Sequence, residues 1–422
     1  MEIETKCLHS GYEPKNGESR MIPIIQSTTF KYDSCEDMGK LFDLEASGYF
    51  YTRLQNPTTD MVAAKIAALE GGTAAMLTGS GQAANFFAVF NIANAGDHVV
   101  ASSTIYGGSF NLFNVTMKKM GIEFTFVDPD CSDEELEAAF RPNTKAVFGE
   151  TIANPALIVF DIERFAAAAH KHGVPLIIDN TFATPVNCRP FMFGADIVTH
   201  STTKYMDGHD ATVGGCIVDS GKFDWMAHKE KFPGLCTPDE SYHGITYAEK
   251  FGKEGAFITK ATAQLMRDLG SVQAPINAYM LNLGLESLPV RMERHCRNAE
   301  KIAKILQAHP NVAWVNYPGL PDNKYYERAK KYMPNGTCGV ISFGVKGGRA
   351  GAQKFMSALK LGMIATHVAD ARTCVLHPAS TTHRQMSDEE LIAGGVAPDL
   401  IRLSVGLENV DDLISDLKQA LE

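Results

Sequence analysis

The run Ser201-Thr202-Thr203-Lys204 places an amine beside hydroxyl groups, just after the apolar residues 195–199. A second apolar segment, residues 174–178, is followed by the carboxylate of Asp179. The carboxyl ends of parallel strands meet at one edge of a sheet, which would bring these groups together. A lysine amine reacts as a nucleophile only when it is neutral, and burial or nearby positive charge lowers its pKa. The pattern therefore indicates amine chemistry in a polar pocket.

Two glycine-containing turns add groups to the same edge. Ser80-Gly81-Gln82-Ala83 follows the apolar residues 74–77 and opens a predicted helix, whose first N–H groups and dipole attract an anion. The alternative role of this serine is a simple N-cap. In Tyr106-Gly107-Gly108-Ser109 the tyrosine ring could lie flat on a pyridine ring, or it could pack within the loop. Taken alone, each turn has both a ligand-binding and a structural interpretation.

Pyridoxal phosphate is a cofactor whose needs match these groups. It requires an amine for a Schiff base, a phosphate cradle, a carboxylate for its ring nitrogen and a flat side chain against its ring. Asp179 would hold the ring nitrogen through a charge-assisted hydrogen bond of about 1.5 to 3 kcal/mol, or it could merely cap the next turn. Asn154 would reach the ring hydroxyl, unless it serves only as a turn former before Pro155. Five such signals predict a site for pyridoxal phosphate.

The composition is that of an ordinary globular chain. Its 422 residues are 45% hydrophobic and 21% charged, enough for a large core in two or three domains. A net charge of -10 without a Lys/Arg-rich run argues against nucleic acid and anionic membranes as partners. Nine cysteines without CxxC spacing fit neither a disulfide framework nor a zinc site, so we expect no metal. With a charged start and no apolar run of about 18 to 20 residues, we expect a cytoplasmic protein.

Alternating strands and helices predict the α/β class with a mostly parallel sheet. We expect an N-terminal arm over residues 1–58, a large cofactor-binding domain over 59–275 and a smaller C-terminal α+β domain over 276–422. The large domain would include a helix at 59–70 and an irregular excursion at 222–255, and one long helix at 276–308 would lead into the small domain. The predicted strands are 74–77, 98–101, 123–127, 146–148, 174–178, 196–199 and 215–218, then 339–345 and 401–405 in the small domain, with helices at 350–359 and 410–421.

Six motifs support this interpretation across nearly the whole chain. They are Tyr51-Thr52-Arg53-Leu54-Gln55-Asn56-Pro57-Thr58, Ser80-Gly81-Gln82-Ala83, Tyr106-Gly107-Gly108, Asp179-Asn180-Thr181, Ser201-Thr202-Thr203-Lys204 and Ile401-Arg402-Leu403-Ser404-Val405-Gly406. In this order they resemble the Cys/Met-metabolism family of enzymes that depend on pyridoxal 5'-phosphate. The resemblance implies the transferase fold of type I, with a seven-stranded sheet, and a homotetramer built as a dimer of dimers.

The resemblance also implies roles for individual residues. Lys204 would form the Schiff base, Asp179 would hold the ring nitrogen and Tyr106 would stack on the ring. The remaining cofactor contacts within one chain are implied for Ser80, Gly81, Gln82, Asn154, Thr181, Ser201 and Thr203. Tyr51 and Arg53, on the arm, would reach the phosphate of the neighbouring subunit.

Three residues are candidates for binding the substrate. The resemblance implies that Arg402 grips the α-carboxylate, a task for which its planar fork is suited. Glu150 follows the strand at 146–148 and would face the substrate. At His367 many family members carry serine or asparagine close to that carboxylate; the imidazole would either add a pH-dependent contact or only fill space.

Within the family, O-acetylhomoserine sulfhydrylase, cystathionine γ-synthase, cystathionine lyase and methionine γ-lyase activities compete. Methionine γ-lyases usually carry cysteine where this chain has Gly108. The segment Pro238-Asp239-Glu240-Ser241-Tyr242-His243-Gly244 resembles an insert typical of the sulfhydrylases, and so does the tail from Asp370 to His383. We therefore predict replacement of the acetate of O-acetylhomoserine by sulfide, with Lys204 as proton carrier and Tyr51 or Tyr106 assisting. A protein that binds the cofactor without turnover is the alternative of another class, but no catalytic group is missing.

Overall fold

The computed structural model describes residues 1–382, 384, 387–393 and 396–422. His383, at the end of the predicted tail motif, lies outside the described residues. The described chain builds two sheets, one of seven strands and one of five.

The seven-stranded sheet carries the order β1-β7-β6-β5-β4-β2-β3, and β7 runs opposite to the other six strands. Its strands are β1 Ala74–Thr78, β2 His98–Ser102, β3 Glu123–Val127, β4 Thr144–Glu150, β5 Leu176–Asp179, β6 Ile197–His200 and β7 Gly215–Asp219. All seven predicted strands are therefore confirmed within a few residues. In β2, β4, β5, β6 and β7 every residue is buried, as expected for a sheet covered on both faces.

The second sheet has the order β10-β11-β12-β9-β8 and is antiparallel except for the pair β10 and β11. Its strands are β8 Val312–Asn316, β9 Val340–Val345, β10 Met363–Ile364, β11 Cys374–Leu376 and β12 Leu400–Ser404. The predicted strands at 339–345 and 401–405 correspond to β9 and β12. The other three were not predicted because β10 and β11 are only two and three residues long and β8 is half-exposed, so none shows a clear periodicity.

Seventeen α-helices lie in the described part of the chain. They are α1 Ile3–His9, α2 Cys35–Phe42, α3 Pro57–Glu70, α4 Gly81–Phe90, α5 Gly107–Asn111, α6 Asp133–Ala138, α7 Ile162–Lys171, α8 Thr184–Asn187, α9 Pro233–Cys236, α10 Tyr247–Lys260, α11 Arg267–Leu269, α12 Pro275–Glu286, α13 Leu288–Ala308, α14 Tyr326–Tyr332, α15 Gly348–Ala358, α16 Asp388–Ala393 and α17 Val410–Leu421. The predicted helices at 59–70, 350–359 and 410–421 are confirmed as α3, α15 and α17.

The single long helix predicted for residues 276–308 is wrong. The chain instead forms α12 and α13, separated at Ser287, whose φ of -101° and ψ of 1° are not helical. Pro289 explains the break, because proline has no N–H and its ring clashes with the preceding turn. Proline is tolerated in the first turn of a helix, where it stands in α13.

Helices occur in two segments for which the sequence predicts an arm and an irregular excursion. The N-terminal arm contains α1 and α2. The excursion at 222–255 contains α9 and the beginning of α10, which kinks at Gly252 with a φ of 65°. The domain boundaries at 58 and 275 stay a prediction. Among the described residues, no helix combines the length and apolar character needed to cross a bilayer.

Candidate active site

A cavity of about 260 Å³ lies at the carboxyl edge of the seven-stranded sheet. This edge is where ligands bind in open α/β sheets, because strand ends and helix beginnings converge there. Most predicted site residues line the cavity, which brings together chain segments more than 300 residues apart. The lining residues are Ser80, Gly81, Gln82, Asn85, Tyr106, Ser109, Glu150, Ile152, Asn154, Asp179, Thr181, Phe182, Ser201, Thr203, Lys204, Val213, Thr366, Val368 and Arg402.

Lys204 lies in the turn that follows β6 and reaches the cavity. Its backbone N–H donates to Ser201 O at 3.2 Å, and its carbonyl accepts from Gly208 N at 2.7 Å. Burial, with the positive charge of Arg402 as a second cause, lowers the pKa of the Lys204 amine. A lowered pKa increases the neutral fraction of the amine, the form that attacks a carbonyl carbon.

Asp179 ends β5 and holds its two carboxylate oxygens in fixed directions. Thr181 donates both its N–H, at 3.1 Å, and its hydroxyl to Oδ1. Asn85 Nδ2 donates to Oδ2 at 3.1 Å. A carboxylate fixed by three donors can point its remaining lone pairs at a protonated ring nitrogen.

The first turn of α4 faces the cavity as a candidate phosphate cradle. Ser80 is the N-cap, with Oγ accepting from Ala83 N at 3.1 Å, so its hydroxyl has the capping role that the sequence left open. The next two amides, of Gly81 and Gln82, have no acceptor within the helix. A Cβ on Gly81 would lie 2.5 Å from Ser201 Cβ, so only glycine permits this close approach.

The hydroxyl groups near Lys204 are less free than the sequence indicates. Thr203 Oγ1 donates to Gly214 O at 3.2 Å and accepts from Gly214 N at 3.0 Å. Thr181 Oγ1 accepts from Ser201 N at 2.9 Å while it donates to Asp179. Thr181 therefore lines the cavity but orients Asp179, and its predicted contact with the ring stays a prediction.

Tyr106 stands at the N-cap of α5, with about half of its side chain exposed. Its N–H donates to Glu150 Oε1 at 2.6 Å, which ties the tyrosine backbone to the end of β4. A Cβ on Gly108 would lie 2.5 Å from the tyrosine ring. The glycine thus leaves the space that the ring fills, and any side chain there would move the ring.

Arg402 reaches the cavity from β12 in the second sheet. Its guanidinium donates to Asn154 Oδ1 at 3.3 Å, to Thr366 O at 3.0 Å and to His367 O at 3.0 Å. Nε of the same group is buried without a hydrogen-bond partner. Burial lowers the pKa of Arg402 to about 10. A buried cation with a free donor is suited to an anionic ligand group.

The predicted contact between the His367 imidazole and a substrate carboxylate is not favoured by the geometry. Its neighbours Thr366 and Val368 line the cavity, whereas the imidazole turns toward Asp210, with Nε2 3.6 Å from Oδ1. Burial and the nearby Lys204 amine lower the pKa of this imidazole. His367 contributes its carbonyl to Arg402 instead, and substrate binding by its ring stays a prediction.

Tyr51 and Arg53 lie on the arm and do not line the cavity of their own chain. Both are exposed, and the Arg53 guanidinium stacks 5.2 Å from the centre of the Tyr51 ring. This placement leaves them free to meet another molecule, and their predicted contact with the neighbouring subunit stays a prediction.

Several lining residues were not predicted from the sequence. Asn85 is the most informative, because it joins Asp179, Ser109 and Thr199 by hydrogen bonds. Its spacing of four residues from Gly81 places it on the cavity face of α4, a signal that was available. Apolar lining comes from Ile152, Phe182, Val213 and Val368.

These groups fit pyridoxal phosphate in kind and number. An amine, a fixed carboxylate, a helix N-terminus beside hydroxyl groups and an aromatic ring surround one cavity, and the buried Nε of Arg402 lacks a partner. The α/β fold and this site define the class of pyridoxal-phosphate-dependent enzymes of fold type I.

Comparison with known proteins identifies the family within that class. Residues 4–422 match the model of the Cys/Met metabolism PLP-dependent enzyme family, and the chain belongs to this family. It is 47% identical to the homocysteine synthase of Schizosaccharomyces pombe, over 100% of this chain and 98% of the relative. It is 46% identical to O-acetyl-L-homoserine sulfhydrylase 1 of Thermus thermophilus, over the whole of both chains.

A solved structure supports the same relationship. The crystal structure of a putative O-acetylhomoserine (thiol)-lyase from Campylobacter jejuni has a TM-score of 0.96 with 39% identity, and each chain covers 100% of the other. That structure carries a pyridoxyl-lysine monophosphate residue. The predicted family, fold class and cofactor are therefore confirmed.

Proposed function

We propose that this enzyme replaces the acetate of O-acetylhomoserine by sulfide and so makes homocysteine. The relatives named above support this activity, since two of them are a homocysteine synthase and an O-acetylhomoserine sulfhydrylase with identities of 46 to 47% over full length. The substrates are small molecules, and the product belongs to methionine biosynthesis.

The observation that carries the proposal is the shared cavity of Lys204 and Arg402. An amino-acid substrate presents an amine, a carboxylate and a side chain. A lysine with a lowered pKa and a buried guanidinium within one cavity match the first two of these groups. Arg402 would bind the α-carboxylate through its guanidinium, whose buried Nε has no hydrogen-bond partner.

Proton movement is assigned to Lys204. When bound, pyridoxal phosphate supplies an electron-accepting ring that stabilises negative charge at the substrate α-carbon. Lys204 Nζ, in its neutral form, would accept the proton from that carbon and then serve as acid and base at the β-carbon. Asn85 and Thr181 donate to the Asp179 carboxylate, which would hold the ring nitrogen when the cofactor is bound.

The overall reaction breaks the Cγ–O bond of O-acetylhomoserine and forms a Cγ–S bond. Acetate leaves with the bonding electron pair, hydrosulfide supplies the new pair, and no oxidant or reductant is needed. Tyr106, at the rim of the cavity, or Tyr51 from a neighbouring subunit would pass a proton near the leaving group. Glu150, which accepts from Tyr106 N, and His367, whose carbonyl accepts from Arg402, would complete the surroundings of the substrate.

The family relationship also supports a proposal about the assembly and the location of the enzyme. We propose a homotetramer of two dimers in which Tyr51 and Arg53 of one subunit complete the phosphate site of its neighbour. Their exposure and their position outside their own cavity support this arrangement. We also propose that the enzyme works in the cytoplasm, where its cysteines remain free thiols.

Purified enzyme with pyridoxal phosphate is offered O-acetylhomoserine, O-acetylserine or O-succinylhomoserine together with sulfide, and in separate reactions methionine alone. We expect homocysteine and acetate in equal amounts from O-acetylhomoserine, with slower turnover of the other acyl donors. If methionine is degraded readily to ammonia while O-acetylhomoserine consumes no sulfide, the proposal is wrong and a γ-lyase is indicated. Formation of cystathionine from cysteine in preference to sulfide would indicate a synthase instead.

A further inference from the structure

Glu150 and Asp179 are direct partners in the pairing of β4 with β5. Adjacent strands lie roughly 4.8 Å apart, and paired residues point to the same face of the sheet. Both side chains line the cavity, with relative exposures of only 8% for Glu150 and 9% for Asp179. Two carboxyl groups thus share one buried edge, where two negative charges would repel each other strongly.

The hydrogen bonds assign the charge of this pair to Asp179. All three of its described partners are donors, namely the N–H and hydroxyl of Thr181 and the amide of Asn85. The Asn85 amide cannot be reversed without cost, because its Oδ1 accepts from Thr199 Oγ1 at 2.6 Å. Three donors directed at one carboxyl group favour its ionised form.

Fewer hydrogen-bond donors stabilise a negative charge on Glu150 than on Asp179. Its Oε1 accepts from Tyr106 N at 2.6 Å, and the backbone of Asn154 also donates to the carboxyl group. Burial, and then the negative charge of Asp179, raise the pKa of Glu150 well above its usual range. Arg402 lines the same cavity, but its guanidinium donates to Asn154 Oδ1 and to two backbone carbonyls.

We propose that Glu150 is a positioning residue that works as a neutral carboxylic acid, fixing Tyr106 through its backbone and leaving the negative charge of the pair on Asp179. The ring nitrogen of the cofactor then meets one anionic carboxylate and not two. The proton of Glu150 remains available as a hydrogen-bond donor inside the cavity. This role rests on the proposed function only in its use of pyridoxal phosphate.

The neutral state of Glu150 makes the stability of the folded chain depend on pH. The titratable groups that line the same cavity as Glu150 are Asp179 from β5, Tyr106 from the start of α5, Lys204 from the turn after β6 and Arg402 from β12. A carboxyl group with a raised pKa holds its proton more tightly in the folded chain than in the unfolded one. The folded state therefore loses stability as the pH rises above about 4.3, the pKa of a glutamate in the unfolded chain. Glutamine has no such proton, so Glu150→Gln escapes this loss.

The test compares Glu150→Gln and Glu150→Ala with the wild-type enzyme, and uses Glu134→Gln, an exposed glutamate in the first turn of α6, as the matched control. The melting temperature is measured for the cofactor-free protein between about pH 5 and pH 9. The dissociation constant of pyridoxal phosphate is measured at neutral pH by titration of the absorption of the bound cofactor.

We expect the melting temperature of Glu150→Gln, relative to wild type, to rise steadily with pH, while that of Glu134→Gln stays level. We expect Glu150→Ala to weaken cofactor binding about tenfold, since Tyr106 N loses its acceptor. We expect Glu150→Gln to retain most of the wild-type affinity. A pH-independent difference for Glu150→Gln, or cofactor binding as weak as in Glu150→Ala, would show that the ionised carboxylate is required. Neither measurement involves O-acetylhomoserine, so failure here is distinct from failure of the proposed reaction.

Discussion

Asn85 Nδ2 lies 3.1 Å from Asp179 Oδ2, and this hydrogen bond joins the candidate phosphate helix α4 to the carboxylate at the end of β5. The same amide also donates to Ser109 Oγ at 3.2 Å, while its Oδ1 accepts from Thr199. One buried side chain therefore links the two ends of the proposed cofactor site, its phosphate cradle and its ring carboxylate.

Removal of Asn85 should weaken cofactor binding without unfolding the chain. In Asn85→Ala, Asp179 Oδ2 loses its donor and Thr199 loses its acceptor, for which we expect roughly a tenfold rise in the dissociation constant of pyridoxal phosphate. Asn85→Asp should be worse, because it places a second carboxylate beside Asp179. Equilibrium titration of cofactor-free protein measures both, with the exposed Asn114→Ala as control. Wild-type affinity in Asn85→Asp would contradict this role.

The glycine at the start of α4 should tolerate no side chain. Gly81→Ala would place a Cβ 2.5 Å from Ser201 Cβ and 2.7 Å from Ser201 Cα, so the helix must move away from the turn that carries Lys204. We expect a loss of at least tenfold in cofactor affinity, together with a lower melting temperature. Gly107→Ala is the matched control, because a Cβ there has nothing within 4 Å. Equal effects of the two substitutions would argue against the close-packed cradle.

The fold was largely predictable because the strands of the large sheet are continuous apolar segments separated by turn signals. The site was predictable where chemistry concentrates in short motifs, as at Asp179 and Ser201-Thr202-Thr203-Lys204. Contacts between distant segments were not predictable from local patterns. An example is the buried cluster in which Glu70 Oε1 lies 2.6 Å from His200 Nε2 and 2.9 Å from Asn180 Nδ2. These partners are 130 and 110 residues apart, and no periodicity pairs them.

The orientation of a side chain also could not be predicted from the sequence. The position of His367 next to the segment that Arg402 contacts was foreseeable from the resemblance, but the direction of its imidazole depends on Asp210, which lies on the turn after Lys204. Likewise, Pro289 could have signalled the break between α12 and α13, but the apolar pattern continues across it.

Arg402 should control substrate binding more than cofactor binding. Arg402→Lys retains a positive charge but loses the planar guanidinium. A single amine cannot make the contacts to Asn154, Thr366 and His367 at the same time. We expect kcat/KM for O-acetylhomoserine to fall about 10- to 100-fold, mainly through a higher KM. Steady-state kinetics measure this, with the exposed Arg297→Lys as control. A fall in kcat alone, at unchanged KM, would contradict a role of Arg402 in substrate binding.

Replacement of Lys204 by methionine should stabilise the cofactor-free protein. The pKa of Lys204 is lowered in the folded chain by burial, so the unfolded chain binds the proton more tightly. The folded state consequently loses stability as the pH falls below about 10.4, the pKa of a lysine in the unfolded chain. This loss is still present at neutral pH. We expect Lys204→Met to melt at a higher temperature than wild type at pH 7, and the difference to shrink as the pH rises toward about 10.4. A difference in melting temperature between Lys204→Met and wild type that does not change with pH would contradict a lowered pKa of Lys204.

The central claim is that Lys204 is the lysine that binds the cofactor, and peptide mapping after borohydride reduction tests it most directly. The enzyme is loaded with pyridoxal phosphate, reduced, digested and analysed by mass spectrometry, beside Lys204→Ala and the exposed control Lys229→Ala. We predict one mole of pyridoxyl label per chain on the peptide that contains Lys204, no stable label in Lys204→Ala, and full label in Lys229→Ala. Label on a different lysine, or stoichiometric label in Lys204→Ala, would contradict the account.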